Sequence, residues 1–97
     1  MSTSAKIQLP TTSREFYVSS DGYPDTMEPY IQDIIETAKN NARRKYKHPE
    51  AHWEEELERL FNKKTEGMYS ELSVYNNSFV EYVYTISPQG EISVTES

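Results

Sequence analysis

One apolar stripe constrains this chain more than any other feature. Met27, Tyr30, Ile31, Ile34, Ile35, Ala38 and Ala42 recur at i, i+3, i+4 and i+7. That spacing predicts an amphipathic helix of about four turns, with one face that must be buried against another layer. Asp25 or Thr26 stands where a helix cap is needed, and Asp25 with Glu28 has capping-box spacing. On this reading Pro29 falls in the first turn, where few amide protons have helical partners. Glu28 and Asp33 near the start and Arg43, Arg44 and Lys45 near the end match the helix dipole.

The pattern breaks at "KHPE", residues 47–50. Pro49 disfavours helical dihedrals at His48 and suits the first position of a new helix. The second helix carries Trp53, Leu57, Leu60 and Phe61 on one side. Glu54, Glu55, Glu56, Glu58, Arg59, Lys63 and Lys64 are assigned to a solvated opposite face. The short break predicts two helices that meet at an angle or pack as an antiparallel hairpin.

Beyond Gly67 the period switches to two. Met68, Leu72 and Val74 share a parity, and so do Val80, Tyr82, Tyr84 and Ile86. Ile92 and Val94 alternate with polar residues, and "NNS" and "PQG" supply turns. This predicts a three-stranded C-terminal meander. Ahead of the first helix, "AKIQL" (5–9) and "REFYVS" (14–19) predict a hairpin with Phe16 and Val18 on one face and Tyr17 on the other. The expected fold class is α+β: a two-layer sandwich of two helices on one face of a mainly antiparallel sheet, in the order β(β)-α-α-β-β-β. One domain spans residues 1–97, with 1–4 and 96–97 expected to fray.

Composition narrows the chemistry. The chain has no cysteine, which rules out disulfides, thiolate zinc ligands and a cysteine nucleophile. Net charge is −6, and the one basic run is 42–48, "ARRKYKH". An acidic chain is repelled by phosphate and anionic lipid, which argues against direct nucleic-acid binding. No apolar stretch approaches a membrane span, and the first residues lack the apolar core of a secretory signal. The expectation is a cytoplasmic protein with no membrane association, no cofactor and no metal.

The stretch "SSDGYPDTM" joins the second strand to the first helix. Each residue of Asp21, Gly22, Tyr23 and Pro24 has a structural use in such a corner. Asp accepts bonds from downstream amides, Gly takes unusual dihedrals, and Pro fixes φ and extends the residue before it. Tyr23 is expected to pack its ring under the helix. As a ligand site the corner is poor, because Asp21, Asp25 and Glu28 repel anions and are too sparse for a calcium loop. His48 and His52 lie four apart without HExxH order, and read as a surface pair. No GxSxG, GxxxxGK[ST] or GxGxxG occurs.

"YVSSDGYP" followed by an amphipathic helix resembles a group of small bacterial, archaeal and phage proteins with an Asp-Gly-Tyr-Pro stretch after an N-terminal strand. Asp21, Gly22, Tyr23 and Pro24 match that stretch position by position, and "VEYVYTISPQGEISV" is similar to the Tyr-rich hairpin of those proteins. Ser19 and Ser20 replace their usual bulky residues, and Asp25, Thr26 and Met27 their small ones. The resemblance implies no catalytic residue. It implies a phage or mobile-element origin.

The functional expectation is a small non-catalytic interaction module that binds a protein partner or itself. Its candidate contact points are the Asp21–Pro24 corner, the edge strand "EISVTE", and a face with Tyr69, Tyr75, Phe79 and Val83. Two alternatives stand beside it. One is an acidic mimic of nucleic acid that inhibits a nucleic-acid-binding protein, built on "EEELE" and the acids of 21–28. The other is an enzyme with a site at Asp21–Tyr23.

Overall fold

The computed structural model describes residues 3–11, 14–18, 22–64, 72–73 and 80–96. Along them run β1 (Ala5–Gln8), β2 (Glu15–Val18), α1 (Pro24–Lys45), α2 (Pro49–Lys64), β3 (Leu72–Ser73), β4 (Tyr82–Ile86) and β5 (Ile92–Glu96). The fold is the expected α+β sandwich. Two helices pack on one face of a five-stranded sheet of order β3-β2-β1-β4-β5. Its pairings are antiparallel except for parallel β1–β4.

Strand parity decides which side chains meet the helices. Ala5, Ile7 and Leu9 alternate with Lys6 and Gln8, so the former are buried and the latter reach the opposite face. In register beside Ile7 stand Phe16 on β2 and Tyr84 on β4, with Val94 next to Tyr84 on β5. This row meets Met27, Ile31, Ile34, Ile35, Ala38 and Ala42 of α1 and Trp53, Leu57 and Phe61 of α2 in one core. Burial of each large side chain among them is worth about 1.5–3 kcal/mol. Phe16 and Phe61 stack with centroids 5.3 Å apart, tying α2 to β2.

Four expectations are corrected. The C-terminal strands do not form a meander: β3 pairs with β2 at one edge of the sheet, while β4 pairs with β1. β1 carries buried residues along its whole length, so a neighbour on each side shields it better than an exposed edge would. The start of α1 also differs. The helix begins at Pro24, and its N-cap is Tyr23, which makes no side-chain cap bond. The Tyr23 carbonyl accepts the amides of Thr26 and Met27 at 3.0 and 2.8 Å. Pro24 at the first position presets the helical φ, so no Asp or Thr cap is needed, and Pro29 stands inside the helix on its exposed side.

Glu56 does not belong to a solvated face: it is 3% exposed. Its carboxylate accepts from Arg59 Nη2 at 3.2 Å and faces Lys45 Nζ at 3.2 Å, so the last turn of α1 is clamped to α2. Tyr46 stacks on His52 at 4.3 Å in the same corner. The expected fraying fails at Thr3, Ser4 and Glu96. Thr3 is 2% exposed. The Ser4 carbonyl accepts the Glu81 amide at 2.9 Å, and Glu96 pairs with Tyr82.

A pH dependence follows from Glu56. The Arg59 hydrogen bonds, aided by Lys45, hold its carboxyl below the ordinary glutamate range despite burial. A depressed folded-state pKa gives stability that is present above the unfolded value and lost as pH falls through the folded one. Chemical denaturation between pH 7 and pH 3 is expected to show stability falling with acid, and Glu56→Gln should flatten part of that fall. At pH 7 the variant should lose about 1–3 kcal/mol, the size of a charge-assisted bond to a buried group.

Candidate functional site

The corner before α1 is built around Gly22. A Cβ there would lie 2.8 Å from the Thr3 carbonyl oxygen and 2.9 Å from the Ala5 Cβ, so only glycine lets the chain approach β1 this closely. Both polar groups of its backbone are used. Its amide donates to the Thr3 carbonyl at 2.9 Å, and its carbonyl accepts the Tyr84 hydroxyl at 2.6 Å. Tyr84 is fully buried. Burial, aided by the nearby Glu28 carboxylate and Tyr82, pushes its hydroxyl up to about 12. Tyr84 is therefore a neutral donor that closes the core. Gly22 and Pro24 have structural duties here, and Asp21 lies outside the described residues.

Tyr23 is different. Its ring does not tuck under the helix but stands 51% exposed beside Tyr82, centroids 6.1 Å apart. Tyr82 in turn lies 6.5 Å from Tyr84, making a row of three rings from the core to the surface. Desolvation raises the Tyr82 pKa, and Glu96, Tyr23 and Glu81 add to the rise. An aromatic face with Glu81 and Glu96 beside it thus lies where β4 begins and β5 ends.

β5 is the outer strand of the sheet on this side. The hairpin that delivers it is set by "SPQGE": the Gly90 amide donates to the Ser87 carbonyl at 2.9 Å, and the Ser87 amide to the Glu91 carbonyl at 2.8 Å. Gly90 has φ +90°, which suits glycine, and it packs against Lys39 and Ile35 of α1. The Ser87–Glu91 bond fixes the alternation along the ladder. Ser93 and Thr95 exchange bonds with β4, while the amides and carbonyls of Ile92, Val94 and Glu96 point away from it. A groove of about 730 Å³ lies at the start of this edge, bordered by Glu28, Pro29, Gln32 and Lys39 of α1 and by Gln89, Gly90, Glu91 and Ile92. Glu28 and Gln32 were not anticipated as border residues, although their i, i+4 spacing on the exposed side of α1 carries the signal.

The other candidates come apart. The open cleft at Trp53, about 450 Å³, is bordered by Lys39 and Arg43. Lys39 already donates to the Gln89 carbonyl at 2.9 Å and Arg43 to Asn40 at 2.9 Å. The carboxylates of "EEELE" do not form a free array. Glu54 accepts the Thr11 hydroxyl at 2.7 Å, Glu56 is clamped as described, and Glu58 faces Arg14 at 3.6 Å. His48 and His52 diverge, one towards Glu50 and the other towards Tyr46 and Glu55. Among the described residues no three His, Asp or Glu side chains cluster as metal ligands.

The face opposite the helices carries a polar chain. Glu15 accepts from Gln8 at 2.9 Å and from Tyr17 at 3.1 Å, and it faces Lys6 at 3.2 Å. The Gln8 and Lys6 contacts outweigh partial desolvation and lower the Glu15 pKa. Val83 lies on this face, half-buried, in register with Lys6. Tyr69, Tyr75 and Phe79, its expected companions, lie outside the described residues. No helix among the described residues is long and apolar enough to cross a membrane. Comparison with protein-family models, with curated proteins and with solved structures finds no match to this chain.

The Gly22 corner generates a direct test. Tyr84→Phe leaves the buried Gly22 carbonyl without its donor and should cost about 1–3 kcal/mol in urea unfolding. Gly22→Ala forces backbone apart and should cost at least as much. Tyr23→Ala, at the exposed end of the same aromatic row, should change stability by less than about 1 kcal/mol.

Proposed function

We propose that this chain is a non-catalytic interaction module that binds a protein partner by adding an extended segment of that partner to β5. The outward amides and carbonyls of Ile92, Val94 and Glu96 carry the reading, because among the described residues they have no strand partner and offer a ladder to a sixth strand. Such edges are commonly blunted by a central charge, a proline or a bulge. Within β5 the only charge is the terminal Glu96, the strand contains no proline, and its five residues pair with β4 in unbroken register. The groove against α1 leaves room beside Ile92, at the start of the edge, for an incoming side chain.

Two proline substitutions separate binding from folding. Val94→Pro removes an outward amide and leaves the β4 ladder intact, so the protein should remain folded with a modest loss of stability. Ser93→Pro removes an inward amide and should destabilise the sheet markedly. A partner captured from the source cells by the wild-type chain should be lost by the folded Val94→Pro variant. In the complex, the amides of Ile92, Val94 and Glu96 should become protected from hydrogen exchange. Retention of the partner by Val94→Pro, or protection that appears elsewhere, would remove the edge from the mechanism.

A further inference from the structure

We infer that the segment received by β5 is cationic: an extended stretch of a protein partner in which Lys or Arg alternates with β-branched residues. The inference rests on the edge-addition reading and specifies its partner. Glu28 borders the groove from α1, Glu91 lies at the entry to β5, Glu96 ends it, and Glu81 stands at the start of β4. All four are exposed, and none makes an ion pair among the described residues. Among the described residues the one cation bordering the groove, Lys39, is turned to the Gln89 carbonyl and lies over the Trp53 ring at 5.3 Å.

The carboxylates bracket a strand whose interior is Ser93, Val94 and Thr95. Edge charges of this kind normally guard a protein against pairing with itself. Here they would do so. Two copies pairing antiparallel through β5 would bring both sets of carboxylates, and two chains of net charge −6, into one interface. The same field attracts a basic strand and raises its rate of encounter. At the far end, Tyr23 and Tyr82 add a chemical preference. A Lys or Arg side chain passing Glu96 meets an exposed tyrosine face flanked by Glu81 and Glu96, an arrangement that favours a cation over a neutral or acidic group.

The probe is a fluorescein-labelled, N-acetylated peptide alternating Lys and Val over eight residues, compared with its Glu/Val counterpart by anisotropy against the full chain. The Lys peptide should bind at least tenfold more tightly, with an affinity that falls as salt rises from 50 to 300 mM. The double variant Glu28→Gln/Glu96→Gln, which keeps the fold and the edge, should lose three- to tenfold of that affinity. Tyr23→Ala should lose two- to fivefold, and Val94→Pro should abolish binding. Equal binding of the Lys and Glu peptides, both lost in Val94→Pro, would overturn the charge preference and leave edge addition standing. Lys-peptide binding that survives Val94→Pro would overturn both. Absence of binding by either peptide would do the same. A salt-resistant dimer of the chain itself, abolished by Val94→Pro, would make a second copy the occupant and overturn the cationic partner.

Discussion

The structure depends on the approach of the Gly22 backbone to β1. At that point the chain has left β2 and is about to enter α1, and it crosses close enough to the first strand that a single methyl group would not fit. One peptide there reaches two distant parts of the sheet: its amide binds Thr3 ahead of β1, and its carbonyl takes the hydroxyl of Tyr84 from β4. The contact therefore joins the N-terminal hairpin to the C-terminal one across the parallel β1–β4 seam. It also fixes where α1 begins, because Tyr23 and Pro24 must follow at once. Further along the helix, Ile35 and Lys39 reach Gly90 in the turn between β4 and β5. With α1 placed in this way, β5 is the outer strand among the described residues, and the groove opens at its first residue, Ile92.

The helices were legible because their signal is local. Met27, Ile31, Ile34, Ile35, Ala38 and Ala42 repeat along one face, and all six are buried. Strand parity was legible for the same reason, and Ile7, Phe16, Tyr84 and Ile86 face the core as alternation requires. The order of the strands was not. Nothing within "ELSVY" or "EYVYTI" states which neighbour either strand will take, since that choice is made by contacts far apart in sequence. Here β4 is drawn to β1 by the Ile7–Tyr84 register and by the bonds at Thr3, Ser4, Gly22 and Glu81. Glu56 was misplaced by its chemistry although its position gave it away: it stands three residues after Trp53 and one before Leu57, on the buried side. Arg59 and Lys45 neutralise a carboxylate that the helical spacing alone would have turned inward.

Of the candidate site, the sequence revealed the pieces but not their assembly. "EISVTE" reads as an edge strand from its position and its alternation, and it is one. The Asp-Gly-Tyr-Pro corner was recognisable as a corner, yet the division of labour inside it depends on folding. Gly22 turns inward to the Thr3 carbonyl and Tyr84 hydroxyl, while Tyr23, one residue on, turns outward to Tyr82. Neither direction can be deduced without knowing that β4 runs beside β1.

Charge follows the same geometry. The cations found in ion pairs lie mostly where the two helices meet each other and the N-terminal hairpin, with Lys45 and Arg59 on Glu56 and Arg14 on Glu58, while Lys6 on Glu15 sits on the far face of that hairpin. In those places a carboxylate is needed structurally and is matched. Along β5 and the first turns of α1 the carboxylates are exposed and structurally idle, as near a helix start the dipole accommodates negative charge without a partner. A net charge of −6 is thus unevenly spent: much of it collects beside β5, whose outer amides and carbonyls have no neighbouring strand among the described residues. Screening sets the reach of that field at about 8 Å in physiological salt. It would act on a strand docking against the edge as proposed, and hardly at all on the core that holds the edge in place.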